Sequence, residues 1–278
     1  MRRELPFDTR RKSALMTDTA KYYEALDRCV KRLPELGILK NWVYSIALYG
    51  SLPRGDFLAE VSDVDLFVIL EWPAITSAEE WESFDEISGS FSKFFLDCFK
   101  EVSIPRSRGY LLDLVMLSKE HLPFKEKQVR LDPDFDYVVF KYFGVYSFDI
   151  PNWKIIYGED FRTKLNTFDS KALAPAMAKN IIDRIDSTSS AKEVLGYAAH
   201  ALRLAQVYYG EPTLDKRKIL ANFHRYVPQF PLKDQAVEIY GLAMRMNLIS
   251  EEAISRSILK TFIHQLLKPL VDEANRSS

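Results

Sequence analysis

Two aspartates one residue apart, Asp63 and Asp65, open the run DVDLFVIL, and a glycine-serine pair, Gly50-Ser51, closes the apolar run VYSIALYG upstream of it. The side-chain period of two along a strand puts Asp63 and Asp65 on one face, continued by Phe67 and Ile69, while Val64, Leu66 and Val68 take the other. Adjacent carboxylates repel and stay ionised cheaply only beside a cation; oxygen-only ligation completed by water and phosphate suits Mg²⁺. Gly50 lets the backbone approach a phosphate closely, and the Ser51 hydroxyl with its neighbouring amides can donate to phosphate oxygens.

A third acid, Asp113, interrupts the apolar strand GYLLDLVML on the side of Leu111 and Val115. An unpaired acid buried there would be costly. If this strand lies beside DVDLFVIL, Asp113 joins the other two in a three-carboxylate cluster of the kind that two-metal phosphoryl transfer uses. Each part alone has an ordinary reading: Gly-Ser as a turn, Asp-x-Asp as a solvated strand edge, a strand acid held by a local hydrogen bond. Their combination and order point to chemistry.

The succession of apolar run, Gly-Ser, Asp-apolar-Asp and strand acid resembles the DNA polymerase β-like nucleotidyltransferase superfamily. The resemblance implies an α+β fold whose nucleotidyltransferase domain has a mixed β-sheet flanked by helices. It implies Asp63, Asp65 and Asp113 as catalytic and metal residues, two Mg²⁺ ions, and Gly50 and Ser51 against a nucleoside triphosphate such as ATP. An acceptor hydroxyl would attack the α-phosphate and release pyrophosphate, with Asp113 as metal ligand or base.

The elements that must hold these residues are legible in outline. From Thr17, capping residues and the stripe Tyr22, Leu26, Cys29, Val30 and Leu33 predict a helix stopped by Gly37. Another helix is predicted over EEWESFDEISGSFSKFFLDCFKEV, with Trp81, Phe84, Ile87 and Phe91 at helical spacing. After Asp149-Ile150-Pro151 and the connector NWKIIYGEDF, segments 171–186, 190–209, 234–247 and 250–275 read as helices. We therefore expect a catalytic domain over 1–150 and an all-α helical bundle over 151–278, packed together with the ligand between them.

The stretch HALRLAQVYYGEPTLDKRKILANFHRYVP in the helical half is similar to the C-terminal domain of the streptomycin/spectinomycin (aminoglycoside) adenylyltransferases. That similarity implies Arg203 and Lys216 as nucleotide-binding residues, Glu193 near a cationic aminoglycoside or aminocyclitol acceptor, and a role in antibiotic resistance. The residues have plainer readings beside it. Ser190-x-x-Glu193 is a capping box, and Asp215 can cap a helix that starts at Lys216 within the charged run DKRK. Arg203 shares a helical stripe with Glu193, Tyr197 and His200, a polar seam on an apolar helix. KIIYGEDF is similar to a segment that follows the catalytic domain in related enzymes, and Asp160 within it is a further acid for a cationic acceptor. The chain also departs from those relatives: they carry Glu where it has Asp113, the stretch from Asp65 to Asp113 is longer, and residues 1–16 are additional.

Composition narrows the classes. The chain has 278 residues, 47% apolar and 28% charged, an ordinary folded make-up. A formal net charge of -1 lacks the basic excess of a nucleic-acid binder, so a small-molecule or protein acceptor is expected. Cys29 and Cys98 form no zinc or disulfide pattern and are expected as buried thiols. The absence of a signal-peptide or membrane-length apolar run leads us to expect a soluble cytoplasmic protein with no membrane partner. Two other readings stand beside the antibiotic one: a protein or tRNA nucleotidylyltransferase of a toxin–antitoxin system, and a catalytically silent nucleotide-binding module.

Overall fold

In a computed structural model of the chain, residues 11–57, 62–73, 77–101, 112–127, 131, 136–226, 233–243, 250 and 253–277 are described. The start of the strand predicted over GYLLDLVML and the end of the helix predicted over 234–247 lie outside them. The described residues form two compact units.

The first unit begins with helix α1 (Arg11–Arg32). Its predicted apolar stripe is buried at Tyr22, Leu26 and Cys29. The helix ends at Arg32 rather than Gly37, because Pro34 lacks the amide that would continue the ladder; a 3₁₀ segment, Leu33–Trp42, follows, and Gly37 sits inside it at φ 59°. Strand β1 (Val43–Tyr49) leads into a single helical turn, α2 (Ser51–Arg54), and then β2 (Val64–Leu70). Helix α3 (Ala78–Glu101) crosses over to β3 (Leu112–Ser118), and β4 (Lys154–Gly158) returns to the sheet after a long excursion.

The sheet is mixed, in the order β3-β2-β1-β4. β1 is antiparallel to both β2 and β4, while β2 and β3 run parallel, as the helical crossover between them requires. On one face Val64, Leu66, Val68 and Leu70 pack with α1 and with Phe84, Phe91, Phe95 and Phe99 of α3. Because β2 is central, its second face is covered as well, and its run reads as almost continuously apolar. Two buried serines tie strand ends together. Ser45 donates to the Glu159 carbonyl at 2.8 Å, and Ser118 to the Trp72 carbonyl at 2.5 Å.

The second unit takes in residues from His121–Asn152 and Phe161–Ser278. Residues 121–152 thus group with the helices and 153–160 with the sheet, so the chain passes between the units three times rather than once near residue 150. Asp136 caps a short helix, α4 (Tyr137–Val139), by accepting from the Val138 and Val139 amides, and α4 runs directly into a π-helical turn, Phe140–Val145. Helices α5 (Ser170–Ser187), α6 (Ala191–Tyr209), α7 (Lys216–Tyr226), α8 (Lys233–Ala243) and α9 (Arg256–Ser277) complete the unit. Helix α6 is buried on nearly every side, with Ala198, Ala201 and Ala205 fully enclosed. A helix apolar all round is the central one, and α5, α8 and α9 surround it. Among the described residues no helix is long and apolar enough to cross a membrane.

Candidate active site

The sheet face turned away from α1 and α3 carries the acids. Asp65 is the second residue of β2 and lies directly across from Tyr49, the last residue of β1. On the other side, in parallel register, it pairs with Asp113 of β3. Directly paired residues share a face, so Asp65 and Asp113 stand side by side. Asp63 falls just before β2, two residues from Asp65, and its Oδ1 is out of solvent. Asp63 and Asp65 are half-buried and Asp113, on the edge strand, is exposed.

Gly50 is fitted to this arrangement. Its φ of 77° lies in the region that favours glycine, and a Cβ there would come within 1.8 Å of Asp65 Oδ2. The Asp65 carboxylate thus lies against bare backbone. Ser51, only 4% exposed, opens the turn beyond it, and that turn closes through the Gly55 and Asp56 amides, which donate to the Ser51 carbonyl at 3.1 and 3.2 Å. Buried Asp56 pairs with Arg54 at 3.3 Å and steadies the loop.

Three rings floor the same face. Tyr49 and Phe67 stack with centroids 4.0 Å apart, and Trp153, just before β4, lies 5.1 Å from Phe67 and 5.7 Å from Tyr49. An apolar floor beside carboxylates lowers the local dielectric and strengthens their attraction for cations. Sequence reading placed Phe67 here and missed Tyr49 and Trp153. The signal was present in both runs: Tyr49 directly precedes the glycine, and Trp153 interrupts the polar NWK.

A metal can be tested against this donor set. Among the described residues no group of three or more His, Cys, Asp or Glu side chains is drawn together as a metal cage. The set that fits is smaller. Mg²⁺ is commonly held by one or two carboxylates with water and phosphate completing its shell, and Asp63 with Asp65 supplies such a pair. The exposed edge position of Asp113 leaves it beside that pair rather than enclosed with it.

The residues expected in the helical half are placed as follows. Glu193 is exposed in the first turn of α6 and works in the cap: its amide donates to Ser190 Oγ at 3.3 Å, and its carboxylate accepts from the Thr188 hydroxyl. Lys216 is the first residue of α7, and Asp215 Oδ1 accepts from the Arg217 and Lys218 amides at 2.8 and 3.2 Å, the predicted cap. Arg203, half-buried on α6, faces Tyr146 and Tyr240 within the helical unit. His200 is buried at 3% exposure, its Nδ1 3.0 Å from the Tyr137 hydroxyl. Burial foremost, and then the charges of Lys141 and Arg203, hold its pKa well below the usual histidine value, so it is neutral at pH 7.

Comparison with known proteins agrees with the geometry. Residues 26–144 match the family model of the nucleotidyltransferase domain, a span that starts inside α1, runs through β1, β2 and β3, and ends in the π-helical turn. Gly50, Ser51, Asp63, Asp65 and Asp113 lie inside the match; Glu193, Arg203 and Lys216 lie outside it. No match was found among curated proteins. Over residues 26–144 the chain is similar to nucleotidyltransferase domains, which implies a nucleoside triphosphate as substrate, and it is a transferase enzyme.

Proposed function

We propose that this enzyme transfers a nucleoside monophosphate, AMP from ATP, to a hydroxyl of a small cationic acceptor of the aminoglycoside or aminocyclitol type. The observation that carries the transfer reading is the Asp65 carboxylate lying against Gly50 with Asp113 in register beside it. The acceptor class rests on the similarity of the helical half to the streptomycin/spectinomycin adenylyltransferases.

The acceptor oxygen forms a bond to the α-phosphorus, the bond from that phosphorus to the β-phosphate bridging oxygen breaks, and pyrophosphate leaves. Asp63 and Asp65 would hold Mg²⁺, which when bound supplies charge neutralisation for the triphosphate. Gly50 lets backbone come close to the phosphates, and the Ser51 hydroxyl and amide are donors for their oxygens. Asp113 takes the acceptor proton in this reading, because an exposed edge-strand carboxylate can meet an incoming hydroxyl. We assign Arg203 and Lys216 to the nucleotide phosphates, and Glu193 to the cationic acceptor through its exposed position.

Pyrophosphate release from each nucleoside triphosphate, measured across a panel of aminoglycosides and aminocyclitols with Asp63→Ala as control, tests the reading. Release that needs both ATP and one of these acceptors, and is lost in D63A, is the expected result. Label from ATP appearing on protein or tRNA in a lysate, with no small acceptor modified, would overturn the acceptor assignment.

A further inference from the structure

The turn that carries Gly50 and Ser51 is too short to hold its own shape. Helix α2 has four residues, Ser51–Arg54, and a single helical turn is unstable alone, because nucleating it fixes several dihedrals for one hydrogen bond. From within, it is closed by the Gly55 amide, which donates to the Ser51 and Leu52 carbonyls at 3.1 and 3.3 Å, and by the Asp56 amide, which donates to the Ser51 carbonyl. The rest of its support has to come from outside the turn.

Helix α1 supplies it with two adjacent residues. The hydroxyl of half-buried Tyr23 donates to the Leu52 carbonyl at 3.4 Å, so one oxygen receives the Gly55 amide from inside the turn and a phenol from outside. Tyr22 sets its ring edge-on to that of Phe57, centroids 4.7 Å apart, at the far end of the same loop. Leu52 and Phe57 are themselves buried in the cluster that contains Tyr22. A third contact steadies Tyr23: Lys154, the first residue of β4, places Nζ 4.7 Å from its ring centroid, within the range of a cation–π attraction. Burial raises the Tyr23 pKa, so the phenol keeps the proton it donates at neutral pH and above.

Tyr22, Tyr23 and Lys154 lie outside the span of the family match, whereas the turn they hold lies inside it. At 3.4 Å the Tyr23 bond is long, and its worth to global stability is small. Its effect on geometry is larger, since a small displacement of a group that meets substrate is costly.

We propose that Tyr23 is a positioning residue for the triphosphate. Its hydroxyl, with Lys154 over its ring, holds the Leu52 carbonyl and thereby sets the Ser51 hydroxyl and amide where they meet the phosphates. The phosphate role of Ser51 rests on the transfer reading above; the clamp on the turn does not.

Hydrogen exchange of the full chain, followed by mass spectrometry on a peptide spanning residues 50–57, tests the clamp. Y23F should speed exchange there by about threefold to tenfold, the range of one hydrogen bond, and leave α9 as in wild type. In pyrophosphate release with ATP and the acceptor panel, Y23F should raise the KM for ATP by a similar factor and keep kcat within about twofold. K154M should give a smaller change in both, about twofold to fivefold, and K154R, which keeps a cation over the ring, should restore wild-type values. Unchanged exchange in Y23F overturns the clamp, and faster exchange with an unchanged KM overturns the positioning role. Exchange that rises equally in α9 would make Tyr23 a general stabiliser and overturn the proposal as well. Faster exchange in Y23F from a wild type that releases no pyrophosphate would uphold the clamp and bring down the transfer reading instead.

Discussion

Asp65 Oδ2 lies where a side chain on Gly50 would begin, 1.8 Å from the position of its Cβ. A side chain on Gly50 therefore has room only if the Asp65 carboxylate moves. Gly50→Ala should lower stability by about 1–3 kcal/mol, from the positive φ and the displaced carboxylate, and should reduce pyrophosphate release at least about a hundredfold, since a displacement near 1 Å has that effect on positioning. Adding Asp65→Ala should recover part of the lost stability and none of the activity. Urea melts of the two single variants and the double variant give the coupling; strict additivity would contradict the packing.

His200 sets a pH dependence of stability. The unfolded chain takes up a proton at this residue near pH 6.5, whereas the folded chain, where burial and then Lys141 and Arg203 oppose the charge, does not. Stability is complete above that pH and declines as pH falls below it, by up to about 1.4 kcal/mol per pH unit for one proton. Urea melts between pH 7.5 and 5 should show this slope for wild type and a shallower one for His200→Gln. Parallel curves would mean that His200 is not the group responsible.

Cys29 and Cys98 should react with thiol reagents only when the first unit unfolds. Both are buried and unpaired as disulfides, and burial raises both pKa values above the usual thiol range, leaving little thiolate to react. Labelling with a chromogenic disulfide should follow the unfolding curve in urea. Fast labelling in native buffer would contradict the packing of α1 on α3.

Gly158 is a purely structural counterpart to Gly50. Its φ is 78°, and a Cβ there would come 2.2 Å from the Tyr44 carbonyl oxygen, at the point where β4 meets β1. Gly158→Ala should cost about 1–3 kcal/mol and leave the acids and their floor in place. A variant whose activity falls at temperatures where it remains fully folded by circular dichroism would refute that division of labour.

What could be read beforehand follows the range of the forces involved. Alternation along β2 is local, so the shared face of Asp63, Asp65 and Phe67 is visible in eight residues, as is the cap at Asp215. The nearness of Asp113 to Asp65 depends on which strand pairs with β2 and in what register, a choice made by tertiary packing; it could be stated only conditionally. The end of α1 was misread at Gly37 because the missing amide of Pro34 acts earlier in the chain. Residues 137–145 escaped notice because a π turn has no 3.6-residue period to detect. The capping role of Glu193 was legible from Ser190, while the meeting of Arg203 with Tyr146 and Tyr240 joins segments far apart in the chain.

The late arrival of β4 has a consequence for how the protein is made. β1 gains its second neighbour, and the ring floor gains Trp153, only after residues 121–152 of the other unit have been synthesised. On the ribosome the sheet must wait, with one side of β1 unpaired, while part of the helical unit emerges. Pairings between residues so far apart in sequence form slowly, and exposed strand edges are where nascent chains associate wrongly. A fragment stopped at residue 144, the end of the family match, would lack that closing strand altogether. For this chain, the shortest piece that contains the acids is not the shortest piece that can complete the sheet beneath them.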